Sequence, residues 1–183
     1  MRAELKITYD DYKTLPEGGP RYQVIEGELV MMTPAPNFGH QKLVWGLGTA
    51  LYNHVLHHGL GTVVGAPVDL ILSETNVFQP DIVFVSRKRK RIIVREGLRG
   101  APDLCVEVLS KSTADQDRDV KRKLYAQFGV LELWLVDPEL KQVEVFRLQE
   151  DSAAPARVFK ARETLKSALL PGFEVELKEL FSR

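Results

Sequence analysis

The most constraining feature of this sequence is a pair of acidic residues inside two apolar segments that predict buried strands. Asp81 follows Pro80 and opens the apolar run 82–85, and Glu107 lies within the apolar run 104–109. Side chains alternate along a strand, so Glu107 shares its face with Cys105 and Leu109. Burying an ionised carboxylate without a partner costs on the order of several kcal/mol of folding free energy. We therefore expect a cationic group between the two acids.

A predicted helix after the second strand supplies a candidate cation. Hydroxyl and acidic residues mark its beginning, and Gly129 marks its end. At about 100° per residue, Lys121 falls on the apolar side of this helix, whereas Lys123 points nearly the opposite way. Lys121 is therefore expected to face the sheet and to reach the two carboxylates. The apolar stripe beside it consists of Val120, Leu124 and Phe128.

Two carboxylates and one ammonium at the end of a sheet match the needs of metal-dependent phosphodiester hydrolysis. Carboxylate oxygens suit Mg²⁺ or Mn²⁺, with a strand carbonyl and water as the remaining ligands. The ion would acidify a bound water, and the lysine would orient the nucleophile or stabilise the transition state. The alternative is a structural salt bridge between a helix lysine and sheet carboxylates. The spacing alone leaves these two interpretations equally open.

Four segments, in this order, carry a resemblance to a known family. They are Gln79-Pro80-Asp81, residues 101–110, the helix residues from Asp117 through Lys121 to Tyr125, and residues 129–138. This ordered set resembles the Uma-two family of proposed restriction endonucleases, which belongs to the PD-(D/E)XK nuclease superfamily. Residues 22–29 and the helix start at 36–40 resemble the opening segments of the family, so the similarity covers most of the chain.

The resemblance implies an α/β fold: a restriction-endonuclease-like core with a mixed central β-sheet flanked by helices and an N-terminal β-hairpin extension. It implies that Asp81 and Glu107 bind the metal. The superfamily lysine should lie two residues after the second acid, where this chain has Leu109. The resemblance places that lysine on the following helix at Lys121, with Lys111 as a weaker candidate. If neither lysine reaches the site, the fold could persist with little or no activity.

A further candidate site residue, His40, lies on a helix predicted between Asn37 and His58. Its apolar period runs through Val44, Leu47, Leu51 and Val55, and His40 lies one turn earlier on the same stripe. His40 is therefore a candidate to contact a phosphate or a metal-bound water. A structural histidine at a helix start is the alternative, and family resemblance brings the two interpretations to about even.

Cations are concentrated between the two acid-bearing strands. The formal net charge is +0, yet Arg87, Lys88, Arg89, Lys90 and Arg91 are consecutive. We expect a basic hairpin tip beside the acids that contacts the nucleic-acid backbone, which would make binding salt-dependent. The alternative is a solvated loop.

Length and composition predict one globular domain over residues 1–183. A single cysteine, Cys105, excludes an internal disulfide and indicates a reducing cytoplasm. No apolar run is long enough to cross a bilayer, and the polar N-terminal segment does not resemble a signal peptide. Further predicted elements are a capped helix near Thr8 to Tyr12, a hairpin of 22–26 and 28–33, one or two strands over 62–72, strands at 131–136, 142–148, 157–160 and 173–177, and a helix at 177–181.

The sequence thus predicts a magnesium-dependent or manganese-dependent endonuclease that hydrolyses DNA. A non-catalytic nucleic-acid-binding or regulatory module on the same fold is the alternative, and a protein-interaction domain is a third. A homodimer is attractive because duplex cleavage needs two active sites, although no interface signature is visible in the sequence.

Overall fold

The structure is a computed structural model that describes residues 5–16, 18–32 and 36–182. Two mixed six-stranded sheets and a two-stranded ribbon make up its β-structure. The first sheet has the spatial order β2 (Glu28–Met31), β1 (Tyr22–Ile25), β5 (Asn76–Phe78), β4 (Asp69–Ser73), β8 (Gly97–Arg99) and β7 (Ile93–Val94). It extends the predicted N-terminal hairpin, of which Thr33 lies outside the described residues.

The second sheet carries both acid-bearing strands at adjacent positions. Its order is β12 (Arg157–Lys160), β11 (Gln142–Arg147), β10 (Glu132–Asp137), β9 (Leu104–Val108), β6 (Ile82–Ser86) and β3 (Gly61–Gly65). Strands β9 and β10 are parallel, and the other neighbours are antiparallel. The ribbon pairs β13 (Thr164–Lys166) with β14 (Glu174–Glu176).

Helices cover the sheets and connect their strands. They are α1 (Tyr9–Tyr12), α2 (Phe38–His57), α3 (Arg122–Phe128) and α4 (Leu177–Ser182), together with a 3-10 helix at Arg87–Ile92 and a π-helix at Gln116–Lys121 that continues into α3. Gly129 ends α3 with φ 92°, a left-handed conformation that favours glycine. None of the helices in the described ranges is long and apolar enough to cross a membrane.

The second sheet is buried on both faces, as its continuous apolar strands predict. One face packs against α2 through Leu47 and Leu51, which contact a cluster that includes Trp134. The other face packs against α3 and the first sheet, where Leu124 and Phe78 belong to the same cluster. The acid-bearing strands therefore lie in the middle of the molecule.

The predicted fold class is confirmed, with two differences in detail. The mixed sheet expected at the centre is one of two large sheets, because β3 and β4 belong to different sheets on either side of residues 66–68. The buried stripe of α2 contains Leu43 where the sequence analysis placed Val44, which is only half-buried.

Candidate active site

The antiparallel register of β6 and β9 brings the two predicted acids together. Ile82 pairs with Val106, so Asp81 and Glu107 occupy facing positions at the same end of the two strands. The Val108 N–H donates a hydrogen bond of 2.8 Å to Asp81 Oδ2, which fixes the Asp81 carboxylate against β9. Glu107 is almost fully buried, whereas the Asp81 side chain is 20% exposed.

Lys121 reaches Glu107 from the π-helix, as the helical pattern predicts. The second carboxylate that it contacts is Asp117 and not the expected Asp81, which is held by the Val108 N–H and His40 instead. Lys121 Nζ lies 3.1 Å from Glu107 Oε1 and 2.8 Å from Asp117 Oδ1. All three side chains are buried. Because Asp117 and Lys121 are four residues apart on one helix, both project toward the same point of the sheet. The π-helical segment that holds them is of a kind often found at functional sites.

Two further contacts anchor this arrangement. The Tyr125 hydroxyl donates a hydrogen bond of 2.7 Å to Glu107 Oε1, the same oxygen that Lys121 contacts. On the outer side of the π-helix, the Arg118 guanidinium lies 2.9 Å from Asp137 and 2.6 Å from Glu144. Arg118 thus ties the π-helix to strands β10 and β11, which keeps Lys121 in place.

The buried cluster contains more acidic than basic groups. Burial raises the pKa of Glu107 to about 8, an effect that Lys121 opposes and that Asp117 and Asp81 increase. Burial alone would lower the pKa of Lys121, but Glu107 and Asp117 outweigh it, so its pKa is raised and it stays an ammonium. Burial also raises the pKa of Tyr125, which keeps the phenol a hydrogen-bond donor. An additional cation in this place would favour ionised Glu107.

His40 approaches Asp81 from the beginning of α2. The Asn37 side chain accepts a hydrogen bond of 2.9 Å from the His40 N–H and caps the helix. His40 Nε2 lies 3.3 Å from Asp81 Oδ2. Burial lowers the pKa of His40, but the hydrogen bond to Asp81 and its negative charge outweigh burial, so the pKa is raised. The imidazole can therefore carry a proton next to the carboxylate.

One cavity of about 520 Å³ is lined by His40, Asp81, Glu107, Asp117 and Lys121. Gln23 and Gln79 also line it, and the side-chain oxygen of each is buried without a hydrogen-bond partner among the described residues. The Gln79 amide nitrogen donates to Tyr12 and Asp69, so its orientation is fixed. Buried polar atoms without partners are uncommon in proteins, and they make this cavity suited to a polar ligand.

The donor set fits a hydrated divalent cation better than a metal held only by protein. Within residues 5–16, 18–32 and 36–182, no three histidine, cysteine or acidic side chains form a ready-made cage for a metal. Mg²⁺ is commonly held by one or two carboxylates with several waters. Asp81 and Glu107 could supply two such ligands at one cavity, where the surrounding excess of acidic groups favours a cation.

The basic segment lies elsewhere than expected. Residues 87–92 form a 3-10 helix at the far end of β6 from Asp81, which corresponds to about 17 Å along the strand. The prediction of a basic hairpin tip beside the acids is therefore wrong. Strand β6 begins next to Asp81 and leads away from it, so the basic residues follow at the opposite end of the strand. Arg89 has a structural role here, since its guanidinium donates to the carbonyls of Ala101, Pro102 and Gly129. Contact of this segment with nucleic acid stays a prediction.

Leu109 and Lys111, the other two positions at which the resemblance could place a catalytic lysine, do not bring an ammonium to Glu107. Leu109 is buried in the apolar cluster between the second sheet and α3. Lys111 is exposed and lines a neighbouring cavity with Ser110 and His40. Among these positions, Lys121 provides the ammonium that contacts Glu107.

Comparison with known proteins identifies the family. The Uma2 family model, whose description is "Putative restriction endonuclease", matches residues 9–178. The chain belongs to the Uma2 family. A crystal structure of a nuclease belonging to DUF820, described as putative, from Anabaena variabilis is similar to this Uma2 protein with a TM-score of 0.79 and 21% sequence identity. The similarity covers 96% of this chain and 98% of that chain, which supports the shared fold. Comparison with curated proteins gave no match.

Asp117 and Tyr125 belong to the cluster, although the sequence analysis named neither as a site residue. Both contact the Lys121–Glu107 pair directly. The available signal is their spacing, because positions 117, 121 and 125 lie on one helical face. Acidic residues near a helix start are usually explained by their favourable interaction with the helix dipole. That explanation does not predict that the side chain of Asp117 is buried.

Proposed function

We propose that this Uma2 protein is an endonuclease that hydrolyses DNA phosphodiester bonds with Mg²⁺ or Mn²⁺. The observation that supports this most directly is the convergence of Asp81, Glu107 and Lys121 at one cavity. Membership of a family whose description is "Putative restriction endonuclease" agrees with it. The proposal includes DNA as the partner and the cytoplasm as the compartment, where the buried Cys105 thiol would remain reduced.

Asp81 and Glu107 would hold the cation, which would acidify a water and offset charge on the phosphate. Lys121 stays protonated because its pKa is raised, so it would act through its charge rather than as a base. It would stabilise negative charge that develops on the phosphate next to Glu107. His40 can hold or release a proton at Asp81 Oδ2, on the exposed side of the site.

A second candidate function is a nucleic-acid-binding module without catalysis. One observation favours it: Lys121 already provides Glu107 and Asp117 with a cationic partner, as a purely structural salt bridge would. Such a module would bind DNA in a salt-dependent manner but would not cut it.

Cleavage of supercoiled and single-stranded DNA, with Mg²⁺, Mn²⁺ or a chelator, separates the two functions. We expect the parent to cut with metal only, and Asp81→Asn, Glu107→Gln and Lys121→Met to lose activity. Glu132→Gln is the matched control, since Glu132 is another buried carboxylate of the same sheet that bonds Trp134 and Ser167. It should cut like the parent. A folded parent that binds DNA but never cuts would favour the binding module.

A further inference from the structure

Strand β3 forms an unpaired edge of the second sheet. The Ala66 N–H donates to the Asp81 carbonyl, and the Arg87 N–H donates to the Leu60 carbonyl. In an antiparallel pair the hydrogen-bonded positions alternate, so even-numbered residues of this segment bond to β6. The N–H and C=O groups of Gly61, Val63 and Gly65 therefore point away from the sheet, where no described strand pairs with them.

This edge lacks the features that usually prevent pairing with another chain. Strand β3 has the sequence Gly-Thr-Val-Val-Gly, without a charge or a proline. The opposite edge of the same sheet, β12, carries Arg157 and Lys160. Natural edges are commonly protected by such charges. The edge at β12 therefore has this protection, and the edge at β3 lacks it.

An exposed apolar stripe of α2 lies beside this edge. Trp45, Tyr52 and Leu56 are 74%, 51% and 64% exposed, and the opposite face of the helix is buried in the core. A groove of about 590 Å³ is lined by Trp45 and Tyr52 from α2 and by Val63 and Gly65 from β3. The stripe and the edge thus form one continuous area, the α2–β3 surface. Thr49 and Asn53 lie among these apolar residues on the exposed face, so the stripe is apolar with a polar border.

We propose that the α2–β3 surface binds a second copy of this chain, with the two β3 strands antiparallel about a two-fold axis at Val63. In this register the outward groups of Val63 face Val63 of the partner subunit, and glycine faces glycine on either side. No side chain obstructs the flanking pairs. The two sheets would join into one sheet of twelve strands, since each contributes six.

Charge and area both fit a self-interface. The stripe residues Trp45, Tyr52 and Leu56 are uncharged, so two copies would not repel each other there. An aromatic side chain can bury roughly 150–250 Å² of surface. Two aromatic side chains and one leucine, each partly exposed, therefore supply on the order of half of the ~800 Å² of surface that each partner buries in a standard interface. The backbone hydrogen bonds of β3 and the groove lining would supply the remainder. The largest apolar patch of a monomer is often functional, and its size is commonly a few hundred Å².

The geometry has a consequence that rests on the proposed function. Asp81 lies opposite Ala66, three residues along the strand from the proposed axis and about one and a half strand spacings from it. These offsets separate Asp81 from its symmetry mate by on the order of 25 Å. At about 3.4 Å per base pair, the two sites would face phosphates within roughly seven base pairs. The dimer would therefore make double-strand breaks with a short stagger.

Sedimentation without DNA or metal tests the dimer independently of nuclease activity. We expect the parent to be dimeric, and Trp45→Arg and Tyr52→Arg to weaken dimerisation about tenfold or more. Leu140→Arg is the control, because Leu140 is 63% exposed in the turn between β10 and β11. It should dimerise like the parent, and all three exposed substitutions should leave the circular dichroism spectrum unchanged. A parent that stays monomeric at every accessible concentration would overturn the proposal.

Amide hydrogen exchange identifies the interface within the dimer. The amides of Thr62 and Val64 bond to β6 and should be protected in every state. The amides of Gly61, Val63 and Gly65 should be protected in the dimeric parent and should exchange rapidly in monomeric Trp45→Arg. A dimer in which Val63 exchanges as fast as in the monomer would show that β3 is not the pairing edge.

Discussion

Replacing Lys121 with methionine should be far more destabilising than the same change two residues later. Lys121 Nζ lies within 3.1 Å of Glu107 and 2.8 Å of Asp117, and all three side chains are at most 5% exposed. Removing one member of a buried ion pair leaves uncompensated charge and typically costs about 3–5 kcal/mol. We expect the free energy of unfolding of Lys121→Met to fall by an amount in this range.

Lys123→Met is the matched control for this prediction. Lys123 pairs with Asp119 at 2.7 Å, a distance as short as those of Lys121, but the two side chains are 65% and 59% exposed. Exposed pairs contribute little to stability because solvent screens them. Burial rather than distance therefore decides the difference between the two variants.

The deficit of Lys121→Met should depend on pH. The pKa of Glu107 is about 8 with Lys121 present, above the usual 4.5 of a glutamate, and it should rise further without the ammonium. A folded state that binds more protons than the unfolded state loses stability as the pH rises. The deficit should thus be smaller near pH 6 than near pH 9, as measured by urea unfolding. Equal effects for Lys121→Met and Lys123→Met would refute this account of the cluster.

Three further substitutions test the surroundings of the site. Tyr125→Phe removes the hydrogen bond to Glu107 and should lower the free energy of unfolding by about 1–3 kcal/mol in denaturant titrations; an unchanged midpoint would contradict the role of this bond. The folded pKa of His40 is raised above 6.5, so its contact with Asp81 stabilises the fold at low pH and this stabilisation is lost as the pH rises through that pKa. The stability difference between the parent and His40→Gln should therefore be larger near pH 5 than near pH 8, and a difference independent of pH would argue against the contact. Arg118→Gln frees the π-helix from β10 and β11 and should speed amide exchange in residues 116–121 before the rest of the chain; protection equal to the parent would exclude the anchoring role.

Local patterns in the sequence were sufficient to predict most elements. The apolar period after Asn37 predicted α2, and the left-handed residue Gly129 ended α3 as expected. The alternation around Glu107 correctly assigned the faces of β9, since Cys105 and Leu109 lie in one cluster and Leu104 and Val106 in the other. These features depend on residues close in sequence, where spacing alone determines which side chains share a face.

Features that depend on pairing between distant segments were not predictable in the same way. The register that brings Asp81 opposite Glu107 is fixed by contacts across β6 and β9, which no local pattern encodes. The π-helix that buries Asp117 packs through Val120 against a cluster of residues distant in sequence. The predicted position of the basic residues 87–91 was wrong for a similar reason, because their distance from the acids depends on the direction of β6.

Calorimetric titration with Mg²⁺ and Mn²⁺ measures whether Asp81 and Glu107 bind a divalent cation. We expect the parent and the control Glu132→Gln to bind one, and Glu107→Gln and Asp81→Asn to bind it at least about tenfold more weakly. The affinity of the parent should fall as the pH drops below about 8, where Glu107 takes up a proton. A folded parent that binds neither ion, or a Glu107→Gln variant that binds as tightly as the parent, would contradict the assignment of these carboxylates as a metal site.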